Sequence, residues 1–253
     1  LPIFFGAWGW PELNTTAALK ALQSRGPNDQ GKWVDPSGLT LLHTRLAIQD
    51  LSPLGHQPML TSDHSLAVVF NGEIYNQQQL RGELEAEGYR FHSLSDTEVL
   101  MNGFLHWGQT LWRKLEGIFA VACWEPRKKQ LTLARDRFGV KPLLWNRCQE
   151  RLVFASELSA LIASGCCSTQ ALNQEAIESY LLWGSVGAPQ TLLDDVQVFP
   201  AGHWASCQQG KDWQITPFST LEKPPLETGL DLAEATERTR LALQQAVQNQ
   251  SIG

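Results

Sequence analysis

Three stretches of this chain, LTLLHTRLAI at 39–48, SLAVVF at 65–70 and GIFAVACW at 117–124, are nearly unbroken apolar runs. A strand with one wet face alternates apolar and polar residues, whereas a strand covered on both faces reads as a continuous run. Turn-forming segments separate several of these runs. EPRKKQ stands between FAVACW and LTLARD, and NRCQER between PLLW and LVFAS. Such short connections join antiparallel neighbours. The pattern therefore predicts an α+β fold of two stacked antiparallel sheets with helices outside them. The opening LPIFFGAWGW is too short to span a membrane and lacks the basic start of a signal peptide. It reads as a short buried strand ending in a turn.

Four helices are predicted. Residues 14–24 put Leu19 and Leu22 on one face and stop at Gly26-Pro27. Residues 76–87 start at Asn76 as N-cap, space Leu80 and Leu84 four apart, and end at Gly88. SDTEVLMNGFLHWG begins with a Ser95-to-Glu98 capping box and stops at Gly108. NQEAIESYLLWG is the fourth. The polar, proline-bearing stretch 208–232 reads as a linker after a domain at 1–207. Residues 233–253 read as the helical start of a second, truncated domain.

With 253 residues and a net charge of −6, the chain is a poor candidate for nucleic acid or an anionic membrane. Its five cysteines, 123, 148, 166, 167 and 207, show no C-x-x-C spacing. That points to a reducing cytoplasm, without disulfides or a metal site.

Four stretches carry chemistry. RGPND places Arg25 at a Gly-Pro turn. HTRLAIQDLSPLGHQPM places Arg45 inside a strand-like run. FNGEIYN puts Asn71, Gly72 and Glu73 directly after a strand. SDTEVL puts Asp96 at a helix start. A guanidinium grips a carboxylate and an aspartate receives an ammonium, so the set suits an α-amino acid. The Asn71 amide and a following backbone N–H suit an oxyanion hole. Each residue also has a plainer reading: Arg45 as one half of an ion pair, Asp96 as a helix cap, Asn71-Gly72 as a turn.

Together RGPND, HTRLAIQDLSPLGHQPM, FNGEIYN, SDTEVL, LARDRFGVKPLLW and FASELSAL resemble the glutaminase domain of glutamine-dependent asparagine synthetases. That domain is a class II glutamine amidotransferase with the N-terminal-nucleophile hydrolase fold. The likeness runs from about residue 4 to 207. It implies a four-layer α-β-β-α sandwich of two antiparallel sheets. It implies that Arg45 binds the α-carboxylate of glutamine and Asp96 its α-amine. Asn71 and Gly72 would form the oxyanion hole, with Glu73, Leu46, Ile48 and Gln49 lining the pocket. Arg25 lies further out, and the LARDRFGVKP loop, Lys141 included, reads as structural and domain-facing. Asn28 departs from the usual Asp of this motif.

The family begins Met-Cys-Gly-Ile-Phe-Gly and uses the processed N-terminal Cys as nucleophile, with its own α-amine as base. Aligning on Phe5-Gly6 puts Pro2 at the Cys position and Ile3 at the Gly position. The resemblance therefore implies a pocket without glutaminase activity. The implied partners are glutamine and a synthetase domain in cis, with a second copy of the chain as a further option. No cofactor is expected in these 253 residues, since ATP and Mg belong to the absent synthetase domain. Alternative parents are amide ligases of the β-lactam synthetase or lasso cyclase type, or a non-catalytic glutamine-binding scaffold.

Overall fold

The computed structural model describes residues 2–46, 52–148, 150–209, 211–219, 229 and 231–251. Its strands are β1 (Ile3–Trp8), β2 (Asp29–Val34), β3 (Leu39–Arg45), β4 (Met59–Leu60), β5 (Ala67–Ile74) and β6 (Gly117–Glu125), then β7 (Gln130–Arg135), β8 (Leu144–Cys148), β9 (Arg151–Ala155), β10 (Gln197–Val198), β11 (His203–Gln208) and β12 (Gln214–Pro217). Its α-helices are α1 (Thr15–Leu22), α2 (Gln77–Ala86), α3 (Asp96–Trp107), α4 (Leu111–Lys114), α5 (Leu158–Ala163), α6 (Gln174–Trp183) and α7 (Leu232–Gln250). One sheet runs β10-β8-β9-β1-β3-β2 and the other β12-β11-β7-β6-β5-β4. Every strand pairing within them is antiparallel.

The unbroken apolar runs follow from this stacking. In β1, Phe4 and Trp8 face the other sheet, while Ile3, Phe5 and Ala7 face α1 and α5. In β5, Ala67 and Val69 point between the sheets, while Val68 and Phe70 pack under α2, α3 and α4. Both side-chain sets of one strand are buried, so no polar alternation is left. Edge-to-face contacts stitch the middle layer, such as Trp8 on Trp124 at 5.0 Å between centroids. A Cβ on Gly6 would run into the Phe154 ring, so glycine lets that ring lie against the backbone of β1. The four layers are helix, sheet, sheet, helix.

Several helix starts agree with local capping, while Asn76 and Glu98 find other partners. Asn14 and Asn173 accept from Ala17 N and Ala176 N, as N-caps do. Asn76 does not cap α2. Its side chain instead donates to Lys114 O (2.9 Å) and accepts from Glu116 N (3.0 Å), tying the helix start to the approach to β6. Ser95 caps α3 through Thr97 N, but Glu98 does not return the bond. Its carboxylate accepts from His92 N, Ser93 N and Ser93 Oγ, closing the preceding loop.

The sheet also extends past residue 207. Residues 214–217 pair with β11, and Phe218 is buried against Phe119. Part of the stretch expected as a linker therefore belongs to the sandwich. α7 has no buried residue. No helix among the described residues is long and apolar enough to cross a membrane.

Candidate functional site

Arg45 is the last residue of β3 and only 9% exposed. Ile3 pairs with Thr44, which brings Pro2 to the same end of the sheet as Arg45. The RGPND stretch packs along this end: Asn28 N donates to Arg45 O at 3.1 Å. Arg25 points outward and pairs with Glu157 at 3.1 Å. The Arg45 guanidinium donates from Nη1 to Ser52 O at 2.8 Å. A Cβ on Gly55 would collide with that guanidinium, so a bare backbone makes room for it. Leu46 follows directly and is partly exposed. Ile48 and Gln49 lie outside the described residues.

Asn71 and Gly72 form no turn. They continue β5, opposite Ala120 and Phe119 of β6. Their compositional signal is that of a hairpin, but β6 supplies eight consecutive partners to β5, and the longer ladder wins. Gly72 has a packing role, since a Cβ there would strike the Ile118 carbonyl. The Asn71 side chain is buried between the sheets. Its Nδ2 donates to Ser156 Oγ at 3.4 Å, and the same hydroxyl accepts from Phe4 N at 3.2 Å. Ser156 thus couples Asn71 to the strand that follows Pro2. Among the described residues Asn71 Oδ1 has no hydrogen-bond partner.

Asp96 opens α3 but leaves capping to Ser95. Its Oδ2 instead accepts from Ile74 N at 3.2 Å, at the end of the strand that carries Asn71 and Gly72. Desolvation raises its carboxyl to about 6; bonds from the Ile74 and Thr97 N–H groups oppose that shift, and the nearby Glu73 charge adds to it. Glu73 sits between, partly exposed. Arg45, Asn71, Gly72, Glu73 and Asp96 therefore gather at one end of the sandwich.

Two residues that sequence reasoning did not single out hold this end together. Gln57, 4% exposed, accepts from Phe70 N at 2.7 Å and donates to Thr97 Oγ1 at 3.1 Å. His43 reaches across from β3 with Nε2 3.3 Å from Phe70 O. Phe70 is thus gripped on both backbone groups immediately before Asn71. Burial lowers the His43 pKa to about 3, so it is neutral and donates from Nε2 to the carbonyl. The available signal was a lone imidazole within the apolar run LTLLHTR and a glutamine within GHQPM.

This end of the sandwich carries a cation, a carboxylate and an amide-bearing strand, and known proteins of related sequence bear on it. The profile of the glutamine amidotransferase domain matches residues 6–218. Asparagine synthetase [glutamine-hydrolyzing] 1 of Bacillus subtilis is 33% identical over 207 residues, which is 82% of this chain and 32% of that protein. Amidase chry2 of Gibberella zeae is 31% identical over 240 residues, 93% of this chain and 34% of that protein. The chain thus spans about a third of these relatives' length. Among solved structures, the glutamine phosphoribosylpyrophosphate amidotransferase of Bacillus subtilis superposes with a TM-score of 0.63 at 20% identity, covering 86% of this chain and 49% of the other, a likeness of fold. With its profile match over most of the chain and the sandwich in common, the protein belongs to the family of glutamine amidotransferase domains.

Proposed function

We propose that this domain holds glutamine by its amino-acid end and does not hydrolyse it. The observation that carries the reading is the gathering of Arg45, the Asn71–Glu73 segment and Asp96, joined by the bond from Ile74 N to Asp96 Oδ2. Arg45 grips the α-carboxylate and Asp96 the α-ammonium. Asn71 and Gly72 face the carboxamide as oxyanion donors, and Glu73, Leu46, Ile48 and Gln49 complete the wall. Pro2 stands where the nucleophile is required and offers neither a thiol nor, within a chain, a free amine. Two charge-assisted contacts of about 1.5–3 kcal/mol each correspond to millimolar affinity, no tighter than roughly 0.1 mM. The parent protein is read as an amide-forming synthetase of the asparagine synthetase type that uses ammonia with an ATP-activated carboxylate. Its synthetase domain would lie in cis.

Calorimetry with glutamine and a coupled glutamate assay test this together. The expected result is weak binding, weakened further by Asp96→Asn, with no glutamate above background. A protein-dependent glutamate rate abolished by Arg45→Ala overturns the inactive reading. No heat and no NMR line broadening at tens of millimolar glutamine overturns the pocket. A variant with Leu1 deleted, Pro2→Cys as the processed N-terminus and Ile3→Gly supplies the thiol and the amine on one residue, with room for glutamine beside it, and is expected to release glutamate.

A further inference from the structure

Two ties run between β5 and α3, and the segment Asn71-Gly72-Glu73 lies between them. Ile74 N, just after the segment, donates to Asp96 Oδ2 at 3.2 Å. Phe70 N, just before it, donates to Gln57 Oε1 at 2.7 Å, and Gln57 Nε2 donates in turn to Thr97 Oγ1 at 3.1 Å. Phe70 and Ile74 are about 13 Å apart along the strand, whereas Asp96 and Thr97 are neighbours in the first turn of a helix. One helix turn can touch only one end of such a segment directly. The Gln57 side chain supplies the reach to the other end, and it uses both its acceptor and a donor to do so.

Gln57 is itself held from behind. A Cβ on Gly31 of β2 would overlap the Gln57 carbonyl, so a bare backbone lets the two segments meet. His43 Nε2 lies 3.3 Å from Phe70 O and holds the other backbone group of Phe70. The donors on this edge of β5 then have a definite order. Alternate N–H groups of a strand point the same way, so those of Phe70, Gly72 and Ile74 share one edge. Phe119, the partner of Gly72 in β6, turns its own N and O to Asp136 at 3.1 and 2.8 Å, which agrees with Gly72 facing away from β6. Gln57 takes the first donor of the row and Asp96 the third, with the Gly72 N–H between them.

We propose that Gln57 is a positioning residue that fixes the length of amino-acid side chain the pocket accepts. The ligand's α-ammonium sits on Asp96 and its carboxamide on Asn71 and Gly72, so the ligand spans from α3 to β5. With the Asp96–Ile74 bond alone, α3 could pivot about one point and close on a shorter ligand. The Gln57 bridge adds a second point and sets the offset between helix and strand. A side chain with one methylene fewer, that of asparagine, then fails to reach both ends, and a missing methylene is worth about 10–200-fold in discrimination. This inference rests on the glutamine reading above and names what sets the length it selects.

The test uses the whole chain with Thr97→Val, Thr97→Ser and Gln57→Met, titrated by NMR with glutamine and with asparagine. The wild type is expected to prefer glutamine by at least about tenfold. Thr97→Val, which removes the acceptor of Gln57, and Gln57→Met are each expected to bring that preference below about threefold, while Thr97→Ser keeps it. In the ligand-free protein the Ile74 amide hydrogen is expected to exchange about tenfold faster in Thr97→Val, with the β6 amides unchanged. A general loss of stability would speed the β5 and β6 amides together and weaken both amino acids alike. An unchanged preference for glutamine in Thr97→Val and Gln57→Met overturns the proposal, as does an Ile74 exchange rate that moves only with β6. Thr97→Val decides the question if Gln57→Met fails to fold, because it leaves the Phe70 bond in place. A wild-type chain that binds neither amino acid overturns the glutamine reading instead, and the Ile74 exchange then decides the tie by itself.

Discussion

The Asp96 carboxylate accepts a hydrogen bond from Ile74 N across 3.2 Å, so the first residue of α3 is tied to the last residue of β5. A helix start and a strand end that are 22 residues apart become one wall. Ser95 does the capping, and the Asp96 carboxyl, held by the Thr97 N–H of its own helix as well as by Ile74 N, links the two elements. That carboxyl, lifted to about 6 by desolvation, is an acid poised just below neutrality.

Glutamine binding is therefore expected to weaken as pH falls through about 6, because a protonated Asp96 no longer attracts an ammonium. Stability moves the other way. The folded carboxyl holds its proton more tightly than an unfolded one at 3.8, so Asp96 disfavours folding above about pH 6 and that cost is relieved as pH falls. Asp96→Asn is expected to raise stability at pH 8 by about 1–2 kcal/mol while it weakens glutamine binding. Urea titrations at pH 8 and pH 5 check this, and a loss of stability at pH 8 counts against it.

Gly55→Ala tests Arg45 without touching its charge. The new Cβ would strike the guanidinium, the far end of a flexible side chain, so the arginine swings away at little cost to the fold. Glutamine affinity is expected to fall about tenfold with stability changed by less than about 1 kcal/mol. Calorimetry alongside thermal melting separates the two effects. A full-strength glutamine site in Gly55→Ala would remove Arg45 from the pocket.

His43 makes an acid-stability prediction. It titrates at about 3 in the folded protein and near 6.5 when unfolded, so the unfolded chain binds the extra proton between those values. Stability is lost as pH falls below 6.5, by about 2 kcal/mol at pH 5 from this residue alone. His43→Leu gives up the bond to Phe70 O and is expected to be less stable at neutral pH, with a flatter decline from pH 7 to 5. Equilibrium unfolding at both values measures the slope. Parallel declines for the two proteins would exclude His43 as its source.

The layering of this protein was written in its sequence. Runs such as AVVF and FAVACW have no polar alternation because both faces of each strand are covered, and that is a property of consecutive residues. Asn14 and Asn173 cap their helices for the same local reason: donor and acceptor lie three residues apart. The residues gathered at one end of the sandwich could be named from motifs, but their partners could not. Asn71-Gly72 has the composition of a turn and became strand because β6 lay beside it. Glu98 has the spacing of a capping box and closed the preceding loop instead. Gln57 and His43 bind Phe70 from 13 and 27 residues away, and Arg135 braces the loop after β7 from Phe199 O, 64 residues on. Local pattern decides which faces are buried, since burial follows periodicity. Which polar group a buried side chain meets is decided by chain segments distant in sequence, and only the packed tertiary structure brings those together.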